Sequence, residues 1–231
     1  MEQKLHTPEG VRDIYSKECE IKLALQKKLS KVLHLYGYQD IQTPTLEYYE
    51  VFRKEIGSTS TQELYKLFDR EGNILALRPD ITPSVARAAA TLFENEEKPV
   101  RLCYAGNTFI NHSSYQGRLK ENTQLGAELI GLDSVEADAE LIAMVADGLK
   151  QVGLKEFQIS LGHVDFVKSL MEAAGLGEEE SHEIRELIAN RNFFGVEELL
   201  DGRKVKPAIR EAFRILPELT GGEEVLAQAM N

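Results

Sequence analysis

An α+β fold, with an antiparallel sheet flanked by helices, is what this 231-residue sequence predicts. Three observations carry the prediction. Two strand-like runs, Val100 to Ala105 and Gln124 to Ile130, are joined by a loop rather than by a helix. Two more, Leu64 to Phe68 and Ile74 to Leu77, alternate around the turn sequence Arg70-Glu71-Gly72-Asn73 and read as a hairpin. Helical periodicity appears before, between and after these runs. Strands joined by turns favour antiparallel pairing, with the helices packed against the sheet.

In chain order, Ser16 to Tyr36 predicts the first helix. Ile21, Leu25, Leu29, Val32, Leu33 and Tyr36 recur at three- and four-residue steps, and Gly37 supplies a left-handed stop. Tyr38 to Thr43 predicts a strand interrupted by Pro44, which lacks a ladder donor and belongs at a sheet edge or an interface. Residues 57–61 (GSTST) read as a loop. Thr82-Pro83 opens a helix to about Phe93, with threonine as cap and proline at the first helical position. After the Val100 strand, the returning strand sends Leu125, Ala127 and Leu129 to one face and Gln124, Gly126 and Glu128 to the other.

Asp133 or Ser134 caps a third helix carrying Leu141, Val145, Leu149 and Val152, which stops at Gly153. Phe157 to Leu161 predicts a further strand. From Val164 the texture becomes helical: about Val164 to Ala174, Glu180 to Ala189, Val196 to Leu200 and Pro207 to Leu216, separated by short breaks. Residues 1–162 are therefore expected to form the sheet-containing core and 163–231 a helical segment. The sequence ends on a helix start, GGEEVLAQAMN, and an element of longer relatives is expected to be missing there.

Composition narrows the function classes. A net charge of −11, no tryptophan and 7% aromatics argue against a broad nucleic-acid-binding surface. No run of 18 or more apolar residues occurs, and the amino terminus has neither signal-peptide nor transit character. Cys19 and Cys103 offer at most one disulfide and no metal-ligand spacing. A reducing cytoplasm is the expected location, with Cys103 in its apolar run acting as a small buried hydrophobe. His6, His34, His112, His163 and His182 are isolated in the sequence. No phosphate loop, nucleophile elbow or metal signature is present, so neither cofactor nor metal is expected.

The residues that could carry chemistry cluster between Leu75 and Gly131. A ligand ammonium group needs a carboxylate and one or two neutral acceptors, and Asp80, Thr82 and Gln124 could supply that set. Thr82 could equally be only a helix cap, and Arg78 only a strand-end ion-pair partner. Glu128 faces inward on a strand, which is costly unless a partner or ligand satisfies it. Gly117, Arg118 and Lys120 form a basic loop tip, solvated or in contact with phosphate.

GYQDIQTPTLE, LALRPDIT and YAGNTFINHSSYQGRLKENTQLGAELIG resemble, in this order, segments of the histidyl-tRNA synthetase-like branch of the class II synthetase fold. The resemblance covers roughly Pro8 to Leu161 and implies an incomplete class II core. Within the branch, LRPDITPSVARAAAT and LPELTGGEEVL are closest to the regulatory paralogue of ATP phosphoribosyltransferase. That paralogue keeps the synthetase core, does not charge tRNA, and associates with a short catalytic subunit in the first step of histidine biosynthesis.

The resemblance implies that Asp80, Thr82 and Gln124 hold the α-ammonium of histidine and that Glu128 faces its imidazole. Asp80 is one methylene shorter than the glutamate of synthetases. Ile110 stands where synthetases carry an arginine that grips the ATP α-phosphate, and Asn111, His112, Ser113 and Ser114 replace the loop acids and arginines. Losing one such fixed donor typically costs about 10²- to 10³-fold in rate. The resemblance therefore implies a non-catalytic regulatory subunit, a histidine ligand, and a homodimer through the first helix and Pro44. The rivals are a histidyl-tRNA synthetase, disfavoured by Ile110, and a dimerisation module without ligand.

Overall fold

The computed structural model describes residues 5–53, 60–112 and 117–229. Most of the predicted 57–61 loop, and Ser113 and Ser114, lie outside the described residues. The chain divides into two compact units, Met1–Gln158 and Ile159–Asn231.

The first unit contains α1 (Ser16–Leu35), β1 (Gln39–Asp40), β2 (Leu46–Tyr48), α2 (Glu50–Arg53), β3 (Lys66–Phe68), β4 (Ile74–Leu77), α3 (Thr82–Leu92), β5 (Val100–Phe109), β6 (Glu121–Ile130) and α4 (Val135–Gln151). Its strands form two three-stranded sheets, ordered β1-β5-β6 and β2-β4-β3. The β5–β6 pair is a long antiparallel hairpin running from Val100↔Ile130 to Phe109↔Glu121. β1 adds to β5 in parallel over two residues, so the larger sheet is mixed where the sequence predicts only antiparallel pairing.

The predicted β3–β4 hairpin forms, and Asp69 closes its turn. The carboxylate accepts from the Glu71 and Asn73 amides at 3.0 and 2.8 Å and from Asn73 Nδ2 at 2.8 Å. The strand expected over Tyr38 to Thr43 shortens to two residues. Beyond Ile41, whose amide donates to the Cys103 carbonyl at 2.9 Å, the carbonyls of Thr43 and Pro44 turn toward Arg78.

The alternation read from β6 sorts its two faces. Leu125, Ala127 and Leu129 pack with Val32, Leu33, Tyr38, Cys103 and Met144 beneath α1 and α4. On the other face Ile81, Val85, Val100, Leu102 and Tyr104 form a second core under α3. Helix α3 buries Ser84, Val85, Ala88 and Ala89; side chains this small let it lie close to the sheet. Ser134 caps α4, its hydroxyl accepting from the Ala137 amide at 3.2 Å. Only the carboxyl-terminal half of the α1 stripe is buried, at Val32 and Leu33, while Ile21 and Leu25 are exposed.

The predicted strand Phe157 to Leu161 is not formed. Alternating side chains are only half of a strand, and this segment has no ladder partner among the described residues.

The second unit contains α5 (Val164–Ala173), α6 (Glu178–Ala189), α7 (Phe193–Asp201), α8 (Pro207–Ile215) and α9 (Glu224–Ala229). Met171, Ile184, Val196, Leu200 and Phe213 are its core. Asn192 caps α7, accepting from the Gly195 amide at 3.0 Å. Among the described residues no helix is long and apolar enough to cross a membrane.

Candidate functional site

The β5–β6 hairpin and the mouth of α3 bring the predicted site residues together. In register, Leu102, Tyr104 and Gly106 of β5 face Glu128, Gly126 and Gln124 of β6. α3 begins above this face, so Asp80 and Thr82 meet the β6 side chains although more than forty residues separate them in sequence.

Two linked hydrogen-bond groups result. Gln124 Oε1 accepts from the Ile81 amide at 3.0 Å, and Gln124 Nε2 donates to Asp80 Oδ1 at 2.8 Å. The same Asp80 oxygen accepts from the Thr82 amide at 3.2 Å. Four residues further along β6, Glu128 Oε1 accepts from the Thr82 hydroxyl at 2.8 Å and from the Tyr104 hydroxyl at 3.0 Å, and those two hydroxyls lie 3.1 Å apart. Among the described residues, Asp80 Oδ2 and Glu128 Oε2 take no donor, so each carboxylate keeps an oxygen for something else.

Thr82 is therefore not the cap of α3. The capping position falls on Ile81, with no side-chain hydrogen bond, and the aspartate two residues before Thr82 serves the first amide instead. The Thr82 hydroxyl donates to Glu128 instead. Among the described residues Arg78 makes no ion pair either. It is 7% exposed, and its Nε donates to the Asn107 carbonyl at 2.8 Å. Its Nη1 donates to the Thr43 carbonyl at 2.8 Å, with the Thr43 hydroxyl and Pro44 carbonyl at 3.3 and 3.4 Å. This guanidinium staples the segment after β1 to β5 behind the site, and burial pulls its pKa down.

Tyr104 is the participant that sequence reasoning missed. Burial is the main cause of its raised pKa, with Glu128 and Asp80 adding negative charge nearby, so the phenol stays a proton donor. The available signal was Gly126. A Cβ there would come within 2.5 Å of the Tyr104 hydroxyl, so the glycine exists to admit the ring. A cleft of about 230 Å³ borders the network, lined by Ile41, Gln42, Thr43, Arg78, Tyr104 and others.

Ile110 follows β5 and presents an aliphatic side chain, its amide donating to the Lys120 carbonyl at 2.9 Å. Asn111 and His112 turn to the Thr61–Glu63 turn: the Asn111 amide donates to the Glu63 carbonyl at 2.8 Å, and His112 Nδ1 lies 3.1 Å from Glu63 Oε1. Arg118 is exposed on the loop leading into β6, and no hydrogen bond or ion pair ties it to the network among the described residues.

Residues 10–231 match the histidyl-tRNA synthetase family profile. The chain is 42% identical, over 97% of its length, to an ATP phosphoribosyltransferase regulatory subunit of Acetivibrio thermocellus, of which it covers 54%. It is 38% identical, over 99% of its length, to the protein of the same name from Clostridium novyi, of which it covers 55%. The chain thus spans about half the length of these relatives. Its structure resembles a solved ATP phosphoribosyltransferase regulatory subunit/histidyl-tRNA synthetase from Bacillus halodurans, with a TM-score of 0.86, 34% identity, and coverage of 97% of this chain and 58% of that one. It also resembles a histidine–tRNA ligase subunit from Alicyclobacillus acidocaldarius, with a TM-score of 0.74, 26% identity, and coverage of 87% and 58%. With the family profile matched over nearly its whole length, the chain belongs to the histidyl-tRNA synthetase family.

Proposed function

We propose that this chain acts as a non-catalytic regulatory subunit of ATP phosphoribosyltransferase in the cytoplasm. In this reading it is required for activity of a short catalytic subunit and transmits feedback by histidine, in the first step of histidine biosynthesis. The observation that carries the reading is a contrast within one hairpin. Asp80, Thr82, Gln124 and Glu128 form a connected, half-buried polar network able to hold an amino acid. Ile110, at the end of β5, offers no donor for a phosphate. The names of the relatives support the same direction.

In the proposed mechanism the ammonium of histidine meets Asp80 Oδ2 and the Thr82 hydroxyl, and the imidazole meets Glu128. Gln124 keeps Asp80 aimed. Histidine then shifts the assembly between active and inactive arrangements by binding one of them better. Exposed apolar side chains on α1 (Ile21, Leu23, Leu25) and at Leu46 and Tyr48 near Pro44 support a homodimer through these elements. Arg118, exposed and cationic, is available for an anionic partner group.

The test is phosphoribosyltransferase activity of a short catalytic subunit, with and without this chain, across a histidine titration. Activity that depends on the chain and falls with histidine is expected. No effect, in a mixture that also fails to co-elute, overturns the reading and leaves a dimerisation module without ligand. The profile match to a synthetase family favours a second reading, aminoacyl-tRNA synthesis. Histidine-dependent ATP–pyrophosphate exchange by the chain would establish it; none is expected.

A further inference from the structure

The last turn of α1, strand β1 and strand β5 converge on a second cluster, on the opposite face of the sheet from the histidine-type network. His34 ends α1, Asp40 lies in β1, and Cys103 is its register partner in β5. His34 Nε2 is 3.0 Å from Asp40 Oδ2, and Cys103 Sγ is 3.5 Å from Asp40 Oδ1. One nitrogen, one oxygen and one sulfur thus lie within 4.8 Å of one another. Their sequence spacing hides this, because positions 34, 40 and 103 belong to three elements.

We propose that His34, Asp40 and Cys103 bind a zinc-class divalent transition-metal ion. Donor chemistry selects the class: a thiolate and an imidazole suit zinc and its first-row neighbours, whereas magnesium and calcium take oxygen ligands. Charge also balances. On binding, the thiol gives up its proton to solvent, and thiolate plus carboxylate then neutralise the dication while the imidazole stays neutral. A tetrahedral ion with bonds of about 2.3 Å to sulfur and 2.0–2.2 Å to nitrogen and oxygen spaces its ligand atoms roughly 3.4–3.6 Å apart. His34 Nε2 lies 3.0 Å from one Asp40 oxygen and Cys103 Sγ 3.5 Å from the other, and one donor from each residue falls within 4.8 Å of the others, so a small rotation of the exposed His34 and Asp40 side chains brings three donors to tetrahedral spacing.

Access and enclosure fit as well. The His34 and Asp40 side chains are 46% and 69% exposed, which gives an ion an entry route. Cys103 is 1% exposed and set among Val32, Leu33, Tyr38 and Met144, which shelter the metal–sulfur bond from water. The three protein ligands leave the fourth corner to water.

Cobalt(II) is the probe, because its thiolate complexes give a near-ultraviolet charge-transfer band and tetrahedral cobalt absorbs strongly in the visible. The reduced full chain is expected to show both bands, saturating at one equivalent and bleached by zinc(II). Cys103→Ser abolishes the charge-transfer band. His34→Gln, a substitution at an exposed site that leaves the core intact, weakens cobalt by at least about 10-fold. Cys19→Ser leaves the titration unchanged. No charge-transfer band in the wild type, a band lost with Cys19→Ser, or unchanged affinity in His34→Gln would each overturn the proposal.

Discussion

Gln124 holds Asp80 in place across 44 residues of sequence, its Nε2 donating to the carboxylate at 2.8 Å. The orientation of this amide is forced. Its oxygen accepts from the Ile81 backbone amide, so its nitrogen must face Asp80. Asp80 in turn serves the first amide of α3, and the helix, the strand and the carboxylate form one unit. A ligand arriving at Asp80 Oδ2 meets a group that is already aimed, which lowers the ordering cost of binding.

Gln124→Ala is expected to weaken histidine binding about 10- to 100-fold by calorimetry. It removes the donor that aims Asp80 and leaves the Ile81 amide unpaired, and a hydrogen bond to a charged group contributes about 1.5–3 kcal/mol. Unchanged affinity would remove Asp80 from the ligand site.

Gly126→Ala and Tyr104→Phe separate packing from hydrogen bonding. The alanine Cβ meets the Tyr104 ring and should cost about 1–3 kcal/mol in urea unfolding, as overpacked substitutions do. Tyr104→Phe removes one donor to Glu128 and should cost about 1 kcal/mol. If Gly126→Ala proves neutral, the close approach of ring to strand is not what the glycine serves.

Arg78→Met should destabilise by about 2–3 kcal/mol, because it leaves the carbonyls of Thr43 and Asn107 without their donor in a buried setting. Arg78→Lys should recover little of this, since one ammonium cannot reach acceptors on both segments in the fork geometry. Urea midpoints for the three proteins decide it.

The Asp69 carboxylate has a lowered pKa, chiefly through the Asn73 side-chain hydrogen bond and then the turn amides. A lowered carboxylate contributes stability above its unfolded value, and that contribution is lost as pH falls through the folded one. The Asn73 amide signal should therefore titrate with a midpoint below the usual aspartate value of about 3.9. A midpoint at or above that value would mean the turn is not held by the charged form.

Ile110→Arg should not create histidine-dependent pyrophosphate exchange. One restored cation leaves Asn111 and His112 directed at the Thr61–Glu63 turn rather than at a nucleotide. Exchange above background in this variant would show that a single side chain separates the two activities.

The sequence by itself determined both hairpins, the two faces of β6 and most of the helices. Each of these is local: periodicity, turn chemistry and strand alternation are written in neighbouring residues. Only the tertiary structure decided the rest. Thr82 turned from a cap into a donor because Glu128 lies opposite it and Asp80 serves the helix amide. Arg78 became a staple because the Thr43 and Asn107 carbonyls converge on it. Phe157 to Leu161 alternates like a strand yet forms none, since a ladder needs a neighbour that no local pattern can supply. Tyr104 over Gly126, and His34 beside Asp40 and Cys103, are meetings between distant segments. Register and crossover geometry set such meetings, and side-chain spacing along the chain carries no record of them.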